Sequence, residues 1–165
     1  MLTRDQVSAL YIAVYGRAPD TEGMEYWLQA NSYAEAAEGF VSHRVFKNEY
    51  MWDSNREMVE KFYTNIFGSK GDTEGIAFWT EALDNGLSIA QVLAGFLDAS
   101  LSADLSSDPE GAIRQQVLKN KVAVANYYQT KLGDDFSLNG IAPDSANIVD
   151  APDFIQAKAL IDTRE

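Results

Sequence analysis

Apolar residues recur along this chain with a period near 3.6, in short runs separated by glycine, proline and small polar turns. Val7, Leu10, Tyr11 and Val14 fall at i, i+3, i+4 and i+7, one face of an amphipathic helix. Thr3 and Gln6 have the spacing of a capping box at its start. Gly16 is placed to end it, because glycine accepts the left-handed backbone of a C-cap. Pro19 holds Ala18 in extended geometry, and Asp20 is then set to N-cap a second helix carrying Tyr26 and Trp27. Ser32 caps a third, with Ala36, Phe40 and Val41 inward. A short connector rich in aromatic and basic residues follows: His43, Arg44, Val45, Phe46, Lys47, Tyr50 and Trp52. Val45 and Phe46 are expected to anchor it.

The pattern then restarts. Ser54 or Asn55 caps a helix, and Val59, Phe62, Tyr63 and Ile66 repeat the earlier face at an offset of 52 residues (Val7 to Val59). The same offset relates Tyr11 to Tyr63, Gly16 to Gly68, Asp20 to Asp72, Gly23 to Gly75 and Trp27 to Trp79. From Tyr11 to Trp27, seven of seventeen positions are identical in the second copy, where unrelated sequences would share about one. Gly39-Phe40 matches Gly95-Phe96 at an offset of 56, so the second copy carries four extra residues, placed at Leu83–Gly86. This is an internal repeat.

Beyond Ser100 the chain is turn-rich up to Pro109, which suits a first helical position. A long helix is predicted from about Gly111 to Leu132, with Ile113, Val117, Leu118, Val122, Val124, Ala125, Tyr128 and Leu132 on a broad apolar stripe. Val124, Tyr128 and Gly133 reproduce the spacing of Val7, Tyr11 and Gly16, the trace of a decayed third copy. Residues 134–149 read as loop, and 151–161 as a last short helix with Phe154, Ala157 and Ile161 inward. No stretch keeps period-two alternation. The expected fold is all-α: two tandem three-helix repeats, a long helix and a short closing helix. Repeat one with its connector spans 1–53, repeat two 54–108 and the C-terminal helical segment 109–165, together one compact unit.

Composition narrows the function. The formal net charge of −12 opposes non-specific binding to nucleic acid or anionic bilayers. There is no cysteine, which excludes disulfides, thiol catalysis and cysteine-ligated metal. No run is long enough to span a bilayer, and the first residues lack the pattern of a secretory signal. The last residues read as a helix tail, so the chain is expected to be the N-terminal part of a longer protein.

The duplicated segments, Leu10-Tyr11 through Gly16-Arg17-Ala18-Pro19-Asp20 to Tyr26-Trp27 and Phe62-Tyr63 through Gly68 to Phe78-Trp79, resemble a helical repeat catalogued as a domain of unknown function in bacterial surface-layer (S-layer) proteins and RTX-type exoproteins. Residues 118–128 and 149–162 are similar to the helices that follow such repeats. The start, Met1 to Tyr11, resembles the amino termini of S-layer proteins of Campylobacter-type bacteria. The resemblance implies a cell-surface protein on the outer face of a Gram-negative envelope. It would be exported by type I secretion without an N-terminal signal peptide, its N-terminal region anchoring to lipopolysaccharide. In the second copy Ser69 and Gly71 replace the Arg and Pro of the pattern, so a role for that arginine applies to Arg17 alone.

Candidate chemistry is sparse. Trp27 and Trp79, at matched helical positions, read as core residues before they read as sugar platforms. Asp20 and Asp72 are candidate calcium ligands, yet calcium wants six to eight oxygens and N-capping accounts for both. Asp134, Asp135 and Asn139 form another loose cluster. His43 is the only histidine, so no multi-histidine zinc site or recognisable nucleophilic triad exists. No enzymatic activity and no cofactor other than calcium is expected. His43, Arg44, Lys47, Tyr50 and Trp52 are the candidate binding residues, cations and rings suited to an acidic or phosphorylated glycan; the plain alternative is a structural linker. The expected function is thus a non-catalytic anchoring module for lipopolysaccharide or another surface glycan. An assembly module contacting other copies or S-layer subunits is the alternative, and a surface-polysaccharide hydrolase a more distant one.

Overall fold

A computed structural model describes residues 1–67 and 73–132. Among them the chain is all-α, with eight helices: α1 (Arg4–Tyr15), α2 (Thr21–Leu28), α3 (Tyr33–Ser42), α4 (Arg44–Tyr50), α5 (Asn55–Phe67), α6 (Thr73–Asp84), α7 (Ile89–Ser102) and α8 (Pro109–Leu132). Gly68, Asp72, Gly133, the predicted loop 134–149 and the closing helix 151–161 lie outside the described residues.

The caps read from sequence form as expected. Thr3 and Gln6 make the capping box of α1, and Gly16 closes it at φ 66°. Asp20 caps α2 by accepting the Gly23 N–H at 2.7 Å, and Ser32 caps α3 through the Glu35 N–H. Ser54, paired reciprocally with Glu57, caps α5. The four additional residues of the second copy lengthen α6 to 12 residues, against 8 in α2. Asp108 caps α8, whose first residue is Pro109.

Helix α1 departs from the amphipathic expectation. Every residue from Val7 to Val14 is buried, Ser8 included. Helices α2, α5, α7 and α8 all pack on it, so no face meets solvent. Counterparts pack on counterparts, α1 on α5 and α3 on α7. Helix α8 runs antiparallel to α1, with Arg4 donating to Gln129 and Thr130, and Ser8 to Asn126. Ile113, expected on the inner stripe of α8, is 66% exposed instead. Leu118, Val122, Val124, Ala125 and Tyr128 do face the core; Ile113 lies a turn before the first of them.

The carbonyls at the end of α1 have no partners within the helix. The Gly16 N–H takes Ile12 O, the Asn65 amide takes Ala13 O, and the Tyr50 hydroxyl takes Val14 O at 2.5 Å. The end of α5 is treated likewise: the buried Lys121 ammonium donates to Asn65 O at 3.1 Å.

The connector is not a loop. Residues 44–50 form α4, and the chain breaks at His43, whose extended backbone ends α3 while its ring Nδ1 accepts the Val45 N–H. Phe46 is buried as expected, but Val45 is 49% exposed, and the second anchor is Tyr50. Phe46 and Tyr50 stack at 4.6 Å and reach Phe62 of α5. Their spacing of four puts them on one face of α4 and leaves Val45 on another.

Candidate functional site: paired aromatic clefts

The repeat signature encodes a packing device. In repeat one, Tyr11 and Trp27 both rest on Phe40, at 5.1 and 4.7 Å between centroids. The Tyr11 hydroxyl lies over Gly23 and the Trp27 ring over Gly39, so close that a Cβ at Gly39 would stand 2.5 Å from the indole. These glycines are matched to rings. In repeat two, Tyr63 and Trp79 rest on Phe96, at 4.9 and 5.8 Å, with Gly95 beneath the indole. Tyr15 and Phe67 complete each cluster. Both tryptophans are only half-buried, with Tyr26 and Phe78 standing edge-on to them and largely exposed.

Repeat one opens into a cleft of about 630 Å³ between the end of α1, α2, α3 and the start of α4. Such volumes lie within the roughly 300–1,000 Å³ of small-ligand sites. Its floor is Tyr11, Tyr15, Trp27 and Phe40, and its rim carries Asp20, Glu22, Tyr26, Glu35, His43 and Val45. Arg17 lies inside. Its guanidinium sits 5.2 Å from the Tyr11 centroid and 5.3 Å from that of Tyr15, and it donates to Ala18 O at 3.1 Å. Burial lowers its pKa, an effect opposed by Tyr11, Asp20 and Tyr15; the group stays protonated regardless. Burial likewise pushes the Tyr11 phenol up to about 12, with Arg17 pulling the other way. The cleft therefore offers flat rings, one stacked cation and carboxylates at its mouth.

Repeat two has the same floor, in a cavity of about 220 Å³ lined by Tyr63, Phe67, Trp79 and Phe96. Here Leu105, Asp108, Arg114 and Gln115 also line it. An arginine thus lines both cavities, although the sequence position of Arg17 is serine in the second copy.

The sequence-selected residues separate into groups. His43 is at the cleft rim, while Arg44, Lys47 and Trp52 are exposed on or just beyond α4, Trp52 at 86%. Tyr50 faces the opposite way, buried among Phe46, Phe62 and the end of α1, and presents nothing to a ligand. Asp20 is occupied as an N-cap at the cleft edge, and Asp72 lies outside the described residues. Among the described residues, no group of three or more His, Asp or Glu is placed to hold a metal ion. No helix of the described residues is long and apolar enough to cross a membrane. Glu22, Tyr26 and Glu35 were not among the sequence candidates. The one signal for them was the pairing of Tyr26 with Trp27, since nothing local shows that α3 brings Glu35 to the same mouth.

No curated protein and no solved structure matches the chain. From Ala37 within α3 to Ala103 just after α7, residues 37–103 are similar to the family described as Domain of unknown function (DUF4214).

Proposed function

We propose that this chain is a non-catalytic binding module that holds a surface glycan in the cleft of repeat one. The observation that carries the reading is the open aromatic floor ringed by carboxylates. Sugar C–H faces stack on flat rings such as Trp27 and Tyr26, while hydroxyls donate to Asp20, Glu22 and Glu35 and accept from Arg17 and His43. Helix α4 starts at the rim and carries Arg44 and Lys47 outward, where they meet phosphate or carboxylate groups on neighbouring sugars. In this reading the module is the anchoring part of an exported S-layer or adhesin-like protein, and its ligand is lipopolysaccharide.

Retention on immobilised lipopolysaccharide, followed by titration calorimetry with the soluble polysaccharide, tests this. Tyr26→Ala is expected to weaken binding about tenfold, roughly 1.4 kcal/mol, with little change in stability. Arg44→Ala with Lys47→Ala should weaken it chiefly at low salt. No retention of the parent chain, with or without calcium, sinks the proposal.

The exposed Val45, Met51 and Trp52, at 49%, 59% and 86%, favour a second reading as an assembly module contacting other copies. Concentration-dependent sedimentation abolished by Trp52→Ala would support it.

A further inference from the structure

At the mouth of the repeat-one cleft each outer ring comes with a carboxylate. Glu22 precedes Tyr26 by four residues on α2, which places both on one side of that helix. Glu35 likewise precedes Gly39 by four on α3, and Gly39 is the residue beneath the Trp27 indole. Both glutamates are exposed, and both line the cleft. A third carboxylate, Asp20, uses Oδ1 to accept the Gly23 N–H that it caps.

The cations do not balance these groups. Among the described residues Arg17 is the one lysine or arginine lining the cleft. Its guanidinium lies near the Tyr11 and Tyr15 rings, donates to Ala18 O and is attracted to Asp20. Neither Glu22 nor Glu35 is paired with a base among the described residues: the ion pairs Arg56–Glu60 and Lys61–Asp53 both lie elsewhere. Glu35 accepts from the Asn31 amide at 3.2 Å, a neutral partner. His43 adds no charge in this geometry, because its Nδ1 accepts the Val45 N–H and so holds no proton. With Asp20 set against Arg17, two carboxylates remain. An acidic sugar would meet them before it met Arg17, and a neutral sugar would leave them without a cation. An ammonium group donates to the carboxylates and lies against the negative faces of Tyr26 and Trp27.

We propose that the sugar held in this cleft is an amino sugar with a free, charged amino group. This rests on the glycan reading of repeat one and names the ligand class within it. The cleft is thus opposite in charge to the surface of α4, where Arg44 and Lys47 face solvent. A glycan with ammonium and phosphate groups on neighbouring residues matches both.

The probe is the water-soluble polysaccharide released from lipopolysaccharide by mild acid. It is titrated by calorimetry before and after treatment with acetic anhydride, which turns each free amine into a neutral amide. This N-acetylation should weaken binding about tenfold, the worth of one cation–π contact and two exposed ion pairs. Glu22→Gln with Glu35→Gln should abolish the preference for the untreated form. Glu81→Gln with Glu110→Gln makes the same change in net charge outside the cleft, and should leave the preference intact. If the parent chain binds both forms of the polysaccharide equally well, the amino-sugar assignment is refuted while the glycan reading stands. If the two pairs of substitutions act alike, the attraction is that of the whole chain, at −12, and the assignment also falls. If the parent chain binds neither form, the glycan reading itself falls, and this inference with it.

Discussion

Ala13 and Asn65 hold the same position in the two repeats, 52 residues apart, and the Asn65 amide donates to the Ala13 carbonyl oxygen at 2.9 Å. One copy of the repeat thus satisfies the helix end of the other. The Asn65 carbonyl in turn receives the Lys121 ammonium, so α1, α5 and α8 are tied in series. Asn65→Ala leaves a part-buried carbonyl without its partner, at a cost of about 1–3 kcal/mol. In a domain of this size each kcal/mol lowers Tm by roughly 2–4 °C. Thermal melts followed by circular dichroism should show that fall, and an unchanged Tm would mean water replaces the amide.

Tyr50, in α4, and Trp52, just beyond it, should respond differently. Tyr50→Phe deletes a hydroxyl that donates to Val14 O inside the core, and is expected to destabilise by about 1–2 kcal/mol with no change in glycan affinity. Trp52→Ala, at 86% exposure, should leave stability within about 0.5 kcal/mol. Urea denaturation of both variants, with polysaccharide titration alongside, checks the pair.

Alkaline pH should unfold the protein early. Burial pushes the phenols of Tyr11, Tyr15, Tyr33 and Tyr50 above the usual value near 10, Tyr11 to about 12. The unfolded chain therefore gives up these protons first. Their contribution is complete below about pH 10 and is lost as pH rises toward the folded values. The denaturation midpoint should be flat from about pH 7 to 9.5 and fall steeply above 10. Tyr33→Phe and Tyr50→Phe should each soften that slope.

Glycines beneath the two indoles offer a paired test. A Cβ at Gly39 would meet Trp27 at 2.5 Å, whereas one at Gly95 meets Trp79 at an ordinary 3.4 Å. Gly39→Ala should cost about 1–3 kcal/mol through overpacking, and shift Trp27 emission as the ring is displaced. Gly95→Ala should be neutral or stabilising by up to about 1 kcal/mol, because alanine is the better helix former. Equal effects at both positions would contradict the close fit in repeat one.

What the sequence made legible was local. Asp20, Ser32 and Ser54 cap the helices they precede because capping needs only a side chain and an amide three residues away. The repeat located the aromatic clusters, since Tyr11, Trp27 and Phe40 recur as Tyr63, Trp79 and Phe96. Burial of α1 on all sides was not legible, because its neighbours include α8, more than a hundred residues distant. Nor was the direction of α4: Val45 and Tyr50 are both apolar enough to be anchors, and only the unpartnered Val14 carbonyl selects Tyr50. The cleft mouth was missed for the same reason, since Glu35 reaches it from a different helix than Tyr26. Ile113 fits the stripe of α8 by period alone, yet it stands a turn short of the first residue that meets the core.

The enclosure of α1 sets a schedule for biosynthesis. Its most distant partner, α8, contacts it across 118 to 126 residues of chain. At roughly 5–20 residues per second, Tyr128 leaves the ribosome on the order of 6–25 s after Leu10. For that interval the most completely buried of the described helices has no complete surroundings, and repeat one by itself cannot supply them. Until the last turns of α8 emerge, part of the α1 surface stays uncovered, the condition that exposes a folding chain to aggregation.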